Sequence, residues 1–241
     1  MEIAIKTKNL GKLYKGNRGI DDLNLEVEKG EIFGFLGPNG AGKTTAMKIM
    51  CGLVKPERGD AFLNGYSVTE EYEKAMSKVG CIIESVNVFE HLSAFENMRI
   101  CTRYYDDIDD IEIDKALDAT GILKYRDEKV KGFSLGMKQR LGISMAVASK
   151  PEILILDEPL NGMDVEAMVS MRNLFRDLSK NKKVTIFISS HLIHDIELTC
   201  DRVGIVNEGK LIKTVSIADV LKDYSSLENY YLSEVDEDER S

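Results

Sequence analysis

Residues 31–44 read EIFGFLGPNGAGKT, and this stretch restricts the possible folds more than any other. EIFGFLG has the compact apolar pattern of a buried strand, GPNGAGKT fits GxxxxGK[ST], and KTTAMKIMCGL reads as a helix with Gly52 near its end. A strand, a glycine-rich loop and a helix in that order turn backbone N–H groups and the positive helix end toward an anion. Lys43 is then placed to reach β- and γ-phosphate oxygens, and Thr44 offers a hydroxyl to Mg²⁺. A chance match in a chain of this composition has a probability on the order of one per cent, before strand and helix context are counted. The expected ligands are ATP and Mg²⁺.

Three further runs, VGCIIE (79–84), EILILD (152–157) and VTIFISS (184–190), share the buried-strand pattern and are separated by helical text. Such runs pack best as a mostly parallel sheet covered on both faces. Open sheets of this kind place their chemistry at the carboxyl ends of the strands. Asp157 emerges there as the expected Mg²⁺ carboxylate, and Glu158 beside it can orient or deprotonate the attacking water. His191 follows the third run and can contact the γ-phosphate.

Before this core, the first thirty residues alternate loosely, as short antiparallel strands do. Between Glu84 and Lys150 the strand signals stop, and three helices are expected: one opened by a Ser93–Glu96 capping box, one over DIEIDKALDATG (110–121), and one over SLGMKQRLGISMAVASK (134–150). VGIVNEGKLIKTV predicts a hairpin around 207–210, SIADVLKDYSSLENYYLSEV a closing helix, and DEDERS a frayed acidic tail. The acidic stretch 106–112 reads as a solvated loop and helix start. The domain reading is 1–84 and 151–225 for the nucleotide-binding α/β core, 85–150 for an inserted helical lobe, and 226–241 for the helix end and tail.

Composition excludes several classes. A net charge of -9 argues against broad binding to nucleic acid, which needs a basic face to displace counterions. No apolar run approaches the ~18 residues of a membrane span, and MEIAIKTKNL lacks the apolar region of a signal peptide, so a cytoplasmic chain is expected. Cys51, Cys81, Cys101 and Cys200 form no CxxC pair and read as small apolar residues.

Together these residues resemble the ATP-binding-cassette family, specifically the ATPase subunit of a membrane transporter, over essentially the whole chain. FSLGMKQR (133–140) looks like that family's signature segment, NGMD (161–164) like its D-loop, and SSHLIHD like its switch-histidine region. The resemblance implies a P-loop NTPase (RecA-like) core with an N-terminal antiparallel β subdomain and an inserted α-helical subdomain. It implies nucleotide contacts from Gly37, Pro38, Asn39, Gly40, Ala41, Gly42, Lys43, Thr44 and Thr45, with Tyr14 stacked on adenine and Asp164 at the D-loop. It also implies a head-to-tail dimer, in which Ser134 and Gly136 of one subunit close over the γ-phosphate held by the other. A transmembrane permease would be the second partner, with the ATPase peripheral on the inner membrane face. The signature departs from the common form at Phe133, Leu135 and Met137 while keeping Ser134, Gly136, Gln139 and Arg140.

At the position where the family places a Gln that contacts Mg²⁺ and the attacking water, this chain has Glu84. An acid there adds negative charge beside Asp157, Glu158 and the phosphates. With the altered signature, Glu84 resembles the subgroup serving export of, and immunity to, lantibiotic and bacitracin-like peptides. Export of a peptide or amphipathic drug is the leading expectation. The alternative is a soluble cassette ATPase of DNA repair or translation; these usually carry a long coiled-coil insertion or two cassettes, neither visible here.

Overall fold

The computed structural model describes residues 2–16 and 18–238. The chain begins β1 (Ile3–Tyr14), β2 (Arg18–Glu28), β3 (Ile32–Leu36), α1 (Lys43–Met50), β4 (Arg58–Leu63), β5 (Tyr66–Ser67), α2 (Tyr72–Met76) and β6 (Val79–Ile82). A helical stretch follows, with α3 (Ala94–Thr102), α4 (Asp110–Ala119) and α5 (Leu135–Ala148). It then returns as β7 (Ile153–Asp157), α6 (Val165–Lys182), β8 (Thr185–Ser190), α7 (Ile193–Thr199), β9 (Arg202–Asn207), β10 (Lys210–Ser216), α8 (Ile217–Asp223) and α9 (Leu227–Asp238).

The main sheet has strand order β10-β9-β3-β8-β7-β6, parallel except where β10 turns back on β9. Every residue of β3, β7 and β8 is buried, as continuous apolar runs require when both sheet faces are covered. On one face, Phe35, Met47 and Ile49 pack with Leu23 and Leu25 of a second, antiparallel sheet of order β2-β1-β4-β5. On the other, Ile143 of α5 and Met171 and Phe175 of α6 cover Leu154 and Ile186. A third apolar cluster, including Met98, Ile113, Leu117, Phe133 and Leu141, forms inside the helical lobe. Helix α5 contributes to both of the last two clusters and so fixes the lobe to the sheet.

Local signals account for several ends. Ser93 accepts from the Glu96 amide while the Glu96 carboxylate accepts from the Ser93 amide, a complete capping box. Asp109 caps α4, so part of the acidic stretch starts a helix. The hairpin at 207–210 turns through Glu208 and Gly209, both at positive φ.

Four expectations need correction. The N-terminal strands are long, with 12 residues in β1 and 11 in β2, because register shifts let them curl over α1 without breaking. The closing helix is two helices: the chain extends at Tyr224, and the Leu227 amide, donating to the Glu197 carboxylate at 2.6 Å, starts a new one. Strand β6 is only partly buried because it forms the sheet edge. For the same reason Cys81 is exposed, as is Cys101, whereas Cys51 and Cys200 are buried. Of the acidic tail, residues 236–238 continue α9 and 239–241 lie outside the described residues. Among the described residues no helix is long and apolar enough to cross a membrane.

Phe175 is fully buried between α6 and the sheet. Phe175→Ala is expected to cost about 3–5 kcal/mol and to lower Tm by roughly 6–20 °C in thermal unfolding followed by circular dichroism. An unchanged Tm would contradict this packing.

Candidate nucleotide site

Parallel pairing of β7 with β8 sets Asp157 opposite Ser189, and pairing of β3 with β8 sets Leu36 opposite Ser190. The carboxyl ends of three central strands therefore finish at one edge, directly under the loop that opens α1. That loop needs glycine where the backbone passes closest. Gly42 lies at φ 97°, and a Cβ there would stand 2.1 Å from the Gly19 carbonyl oxygen. The approach brings the β1–β2 turn against the phosphate loop, so Tyr14, Arg18 and Gly19 border the same cleft.

The cleft is about 450 Å³ in volume and is lined by Tyr14, Asn39, Gly40, Gly42, Lys43, Thr44, Thr45, Glu84, Asp157 and Glu158, together with Arg18, Gly19 and Asn161. Tyr14 is 47% exposed at its mouth, with the Lys12 ammonium 5.6 Å from the ring centroid. Lys43 is only 6% exposed and donates to the Gly37 and Pro38 carbonyls at 2.6 and 3.1 Å. Burial lowers its pKa, and the nearby Glu158 and Asp157 carboxylates oppose that shift. Its ammonium thus rests on backbone carbonyls that phosphate oxygens can replace.

Asp157, 5% exposed, is the centre of the polar network. One oxygen accepts from the Thr44 hydroxyl at 2.9 Å and from the Glu84 amide at 3.3 Å; the other accepts from the Ser189 hydroxyl. Ser189 also accepts from the Glu158 amide at 3.0 Å. Glu158 sits at φ 49°, an uncommon conformation for a non-glycine residue, which turns its side chain off the strand line. Its Oε1 lies 2.9 Å from His191 Nδ1, and the Gln139 side-chain amide donates to its carbonyl at 3.3 Å. A carboxylate held by an imidazole at the lip of an anion site is equipped to receive a proton from water.

Glu84 borders the cleft, but beyond the strand and not at its end. Strand β6 stops at Ile82, and Glu84 has φ 64°. Its backbone amide faces Asp157, while its carboxylate accepts from Lys48 on α1 at 2.6 Å. The added acid is therefore paired with a cation within the chain. Ser134, Gly136 and Asp164 do not border the cleft. Ser134 caps α5 by accepting from the Met137 amide, Gly136 packs against Gly162 and Met163, and Asp164 caps α6 by accepting from the Ala167 amide. Ala41 is buried beneath the loop.

Sequence reasoning missed Arg18 and Gly19, which long-range folding brings in, and Lys48; Asn161, first residue of the NGMD segment, reaches the cleft through the turn that follows Glu158. Sequence reasoning also missed Ser189, although the polar end of VTIFISS was its signal, and the contact of Gln139 with the Glu158 backbone.

Fold and cleft together define a phosphate-loop nucleoside triphosphatase. Residues 20–161 match the sequence profile of the ABC transporter family. The chain is 41% identical over 222 residues to the bacitracin transport ATP-binding protein BcrA of Enterococcus faecalis, covering 92% of this chain and 72% of that protein. It is 36% identical over 225 residues to the lantibiotic transport ATP-binding protein SrtF of Streptococcus pyogenes, covering 93% of each. A solved ATP-binding subunit of an ABC transporter superimposes with a TM-score of 0.84 at 26% identity, over 96% of this chain and 99% of that one. The chain belongs to the ABC transporter family and is an ATP-binding, ATP-hydrolysing subunit.

Ser189 bonds both the Asp157 carboxylate and the Glu158 backbone amide. Ser189→Ala is expected to lower kcat for ATP about tenfold or more, as loss of an outer hydrogen-bond partner does, with a stability cost of about 1–3 kcal/mol. Steady-state phosphate release at a temperature where the variant is folded checks this.

Proposed function

We propose that this chain hydrolyses ATP with Mg²⁺ to drive export of a peptide, of the bacitracin-like or lantibiotic kind, through a separate transmembrane permease. What carries the enzymatic part is the convergence of Lys43, Thr44, Asp157 and Glu158 on one sheet edge. What supports the cargo class is 36–41% identity to bacitracin and lantibiotic transport proteins over nearly the whole chain.

The donor set fits Mg²⁺ and a triphosphate. A hydroxyl and a carboxylate already meet at 2.9 Å, and the loop is open at Gly40, where no atom lies within 4 Å of a Cβ position. Thr44 and Asp157 are the residues to hold the metal, with Glu84 at the rim; when bound, Mg²⁺ neutralises phosphate charge and favours transfer to water. Lys43 exchanges its carbonyl partners for phosphate oxygens. Glu158 orients the water and takes its proton, and His191 fixes Glu158 through Nδ1. Tyr14 offers a stacking face for adenine at the mouth of the cleft.

Ser134, Gly136 and Asp164 supply the complementary half of the proposal. They lie away from this cleft, at helix N-termini whose free N–H groups suit an anion; Ser134 and Asp164 are exposed and can face the site of a second ATPase subunit, with Gly136 packed behind them against Gly162 and Met163. A head-to-tail pair would bury two ATP molecules and exclude water at the moment of hydrolysis. The helical lobe, 85–150, would then turn relative to the core, 1–84 and 151–225, as the pair closes. Docking to a permease would place the chain on the inner face of the membrane.

Glu158→Gln should abolish turnover while retaining ATP binding, and should favour an ATP-dependent dimer in size-exclusion chromatography; normal steady-state hydrolysis would sink the role of Glu158. For the cargo, loss of the gene should lower the inhibitory concentration of bacitracin or a lantibiotic at least severalfold, with recovery by the wild-type chain and not by Glu158→Gln. Equal sensitivity in all strains would refute the peptide reading.

A further inference from the structure

Four residues from three separate segments form a closed ring beside the nucleotide cleft. Thr44 and Lys48 are four residues apart on α1, so their side chains lie on the same helix face. Thr44 donates to Asp157, the Glu84 amide donates to the same Asp157 oxygen, and the Glu84 carboxylate returns to α1 by accepting from Lys48 at 2.6 Å. The Glu84 backbone is held at φ 64°, which sets the direction of its Cα–Cβ bond and leaves the rest of the side chain to be placed by its partner.

With its amide on Asp157, Glu84 projects a third negative charge at the rim that also holds Asp157 and Glu158. An uncompensated acid there would repel a triphosphate, and would compete with Thr44 and Asp157 for cations. Lys48 is the cation that meets it. Its side chain is 27% exposed against 60% for Glu84, so it is the better anchored of the two. As an exposed pair it contributes little to folding. What it governs is where the carboxylate points and how much of its charge the nucleotide feels.

We propose that Lys48 is a positioning residue for Glu84: it holds the carboxylate against α1 and supplies the counter-charge that lets an acid occupy this rim of the ATP site. The proposal rests on the reading of Glu84 as a residue of that site. Lys48 acts through Glu84 and is not itself a catalytic residue.

The test is a double-mutant cycle on the full chain, read as ATP affinity in EDTA by competition with a fluorescent trinitrophenyl nucleotide. In EDTA no metal offsets the charge. Lys48→Met should weaken ATP binding about three- to fivefold, the range a partly exposed charge pair supports. Lys48→Arg should stay within about twofold of wild type, and Lys48→Met combined with Glu84→Gln should return to that range. An equal loss in Lys48→Met and in the double variant would overturn the proposal, because Lys48 would then act as a general charge or helix-end cation. No loss in Lys48→Met would overturn it as well. The underlying reading fails separately, if Glu84→Gln alone changes neither nucleotide affinity nor steady-state hydrolysis. Thermal unfolding of each variant without nucleotide identifies any that is misfolded. For such a case Lys48→Gln, with and without Glu84→Gln, repeats the cycle.

Discussion

The structure depends on how a buried carboxylate, Asp157, is hydrogen-bonded and fixed. Removing a carboxylate from water is costly unless donors replace the lost hydration. Here they come from three parts of the chain: the Thr44 hydroxyl on α1, the Ser189 hydroxyl on β8 and the Glu84 amide after β6. Each bond ties one element to the end of β7. The phosphate loop, the segment bearing Glu158 and the turn bearing Glu84 therefore share a single reference point, and their relative positions follow from the hydrogen bonds of one side chain.

That arrangement explains why so much of the cleft was legible beforehand. Asp157 and Glu158 lie at the end of β7, Lys43 and Thr44 open the helix that follows β3, and strand ends in a parallel sheet converge by construction. Apolar runs identified β3, β7 and β8, and their order in the chain is enough to imply a parallel sheet. What escaped was nonlocal or depended on backbone direction. Arg18 and Gly19 reach the cleft only because the antiparallel sheet folds over α1 and Gly42 allows close contact. The pairing of Glu84 with Lys48 turns on a positive φ that residue type does not announce. The split of the last helix depended on Glu197, thirty residues away, capturing the Leu227 amide.

The residues at the far helix ends make a different point. Ser134 and Asp164 spend their side chains on capping α5 and α6, yet the same geometry leaves further N–H groups at each terminus without an intrahelical partner. On the proposed reading, one subunit carries a phosphate loop for its own nucleotide and, on a separate surface, helix-end N–H donors that do not border that cleft. Within the proposed pair, each subunit supplies what the other lacks.

Helix α5 has one further consequence. Gln139 holds the carbonyl of Glu158, and one turn later Gly142 lies so close to Val86 that a Cβ would come within 2.4 Å of it. The same rod therefore bears on the strand-end acid that faces water and on the loop that carries the rim acid. A tilt of that rod would strain both contacts together, so the position of the lobe and the geometry at Glu158 and Glu84 are mechanically joined through one helix.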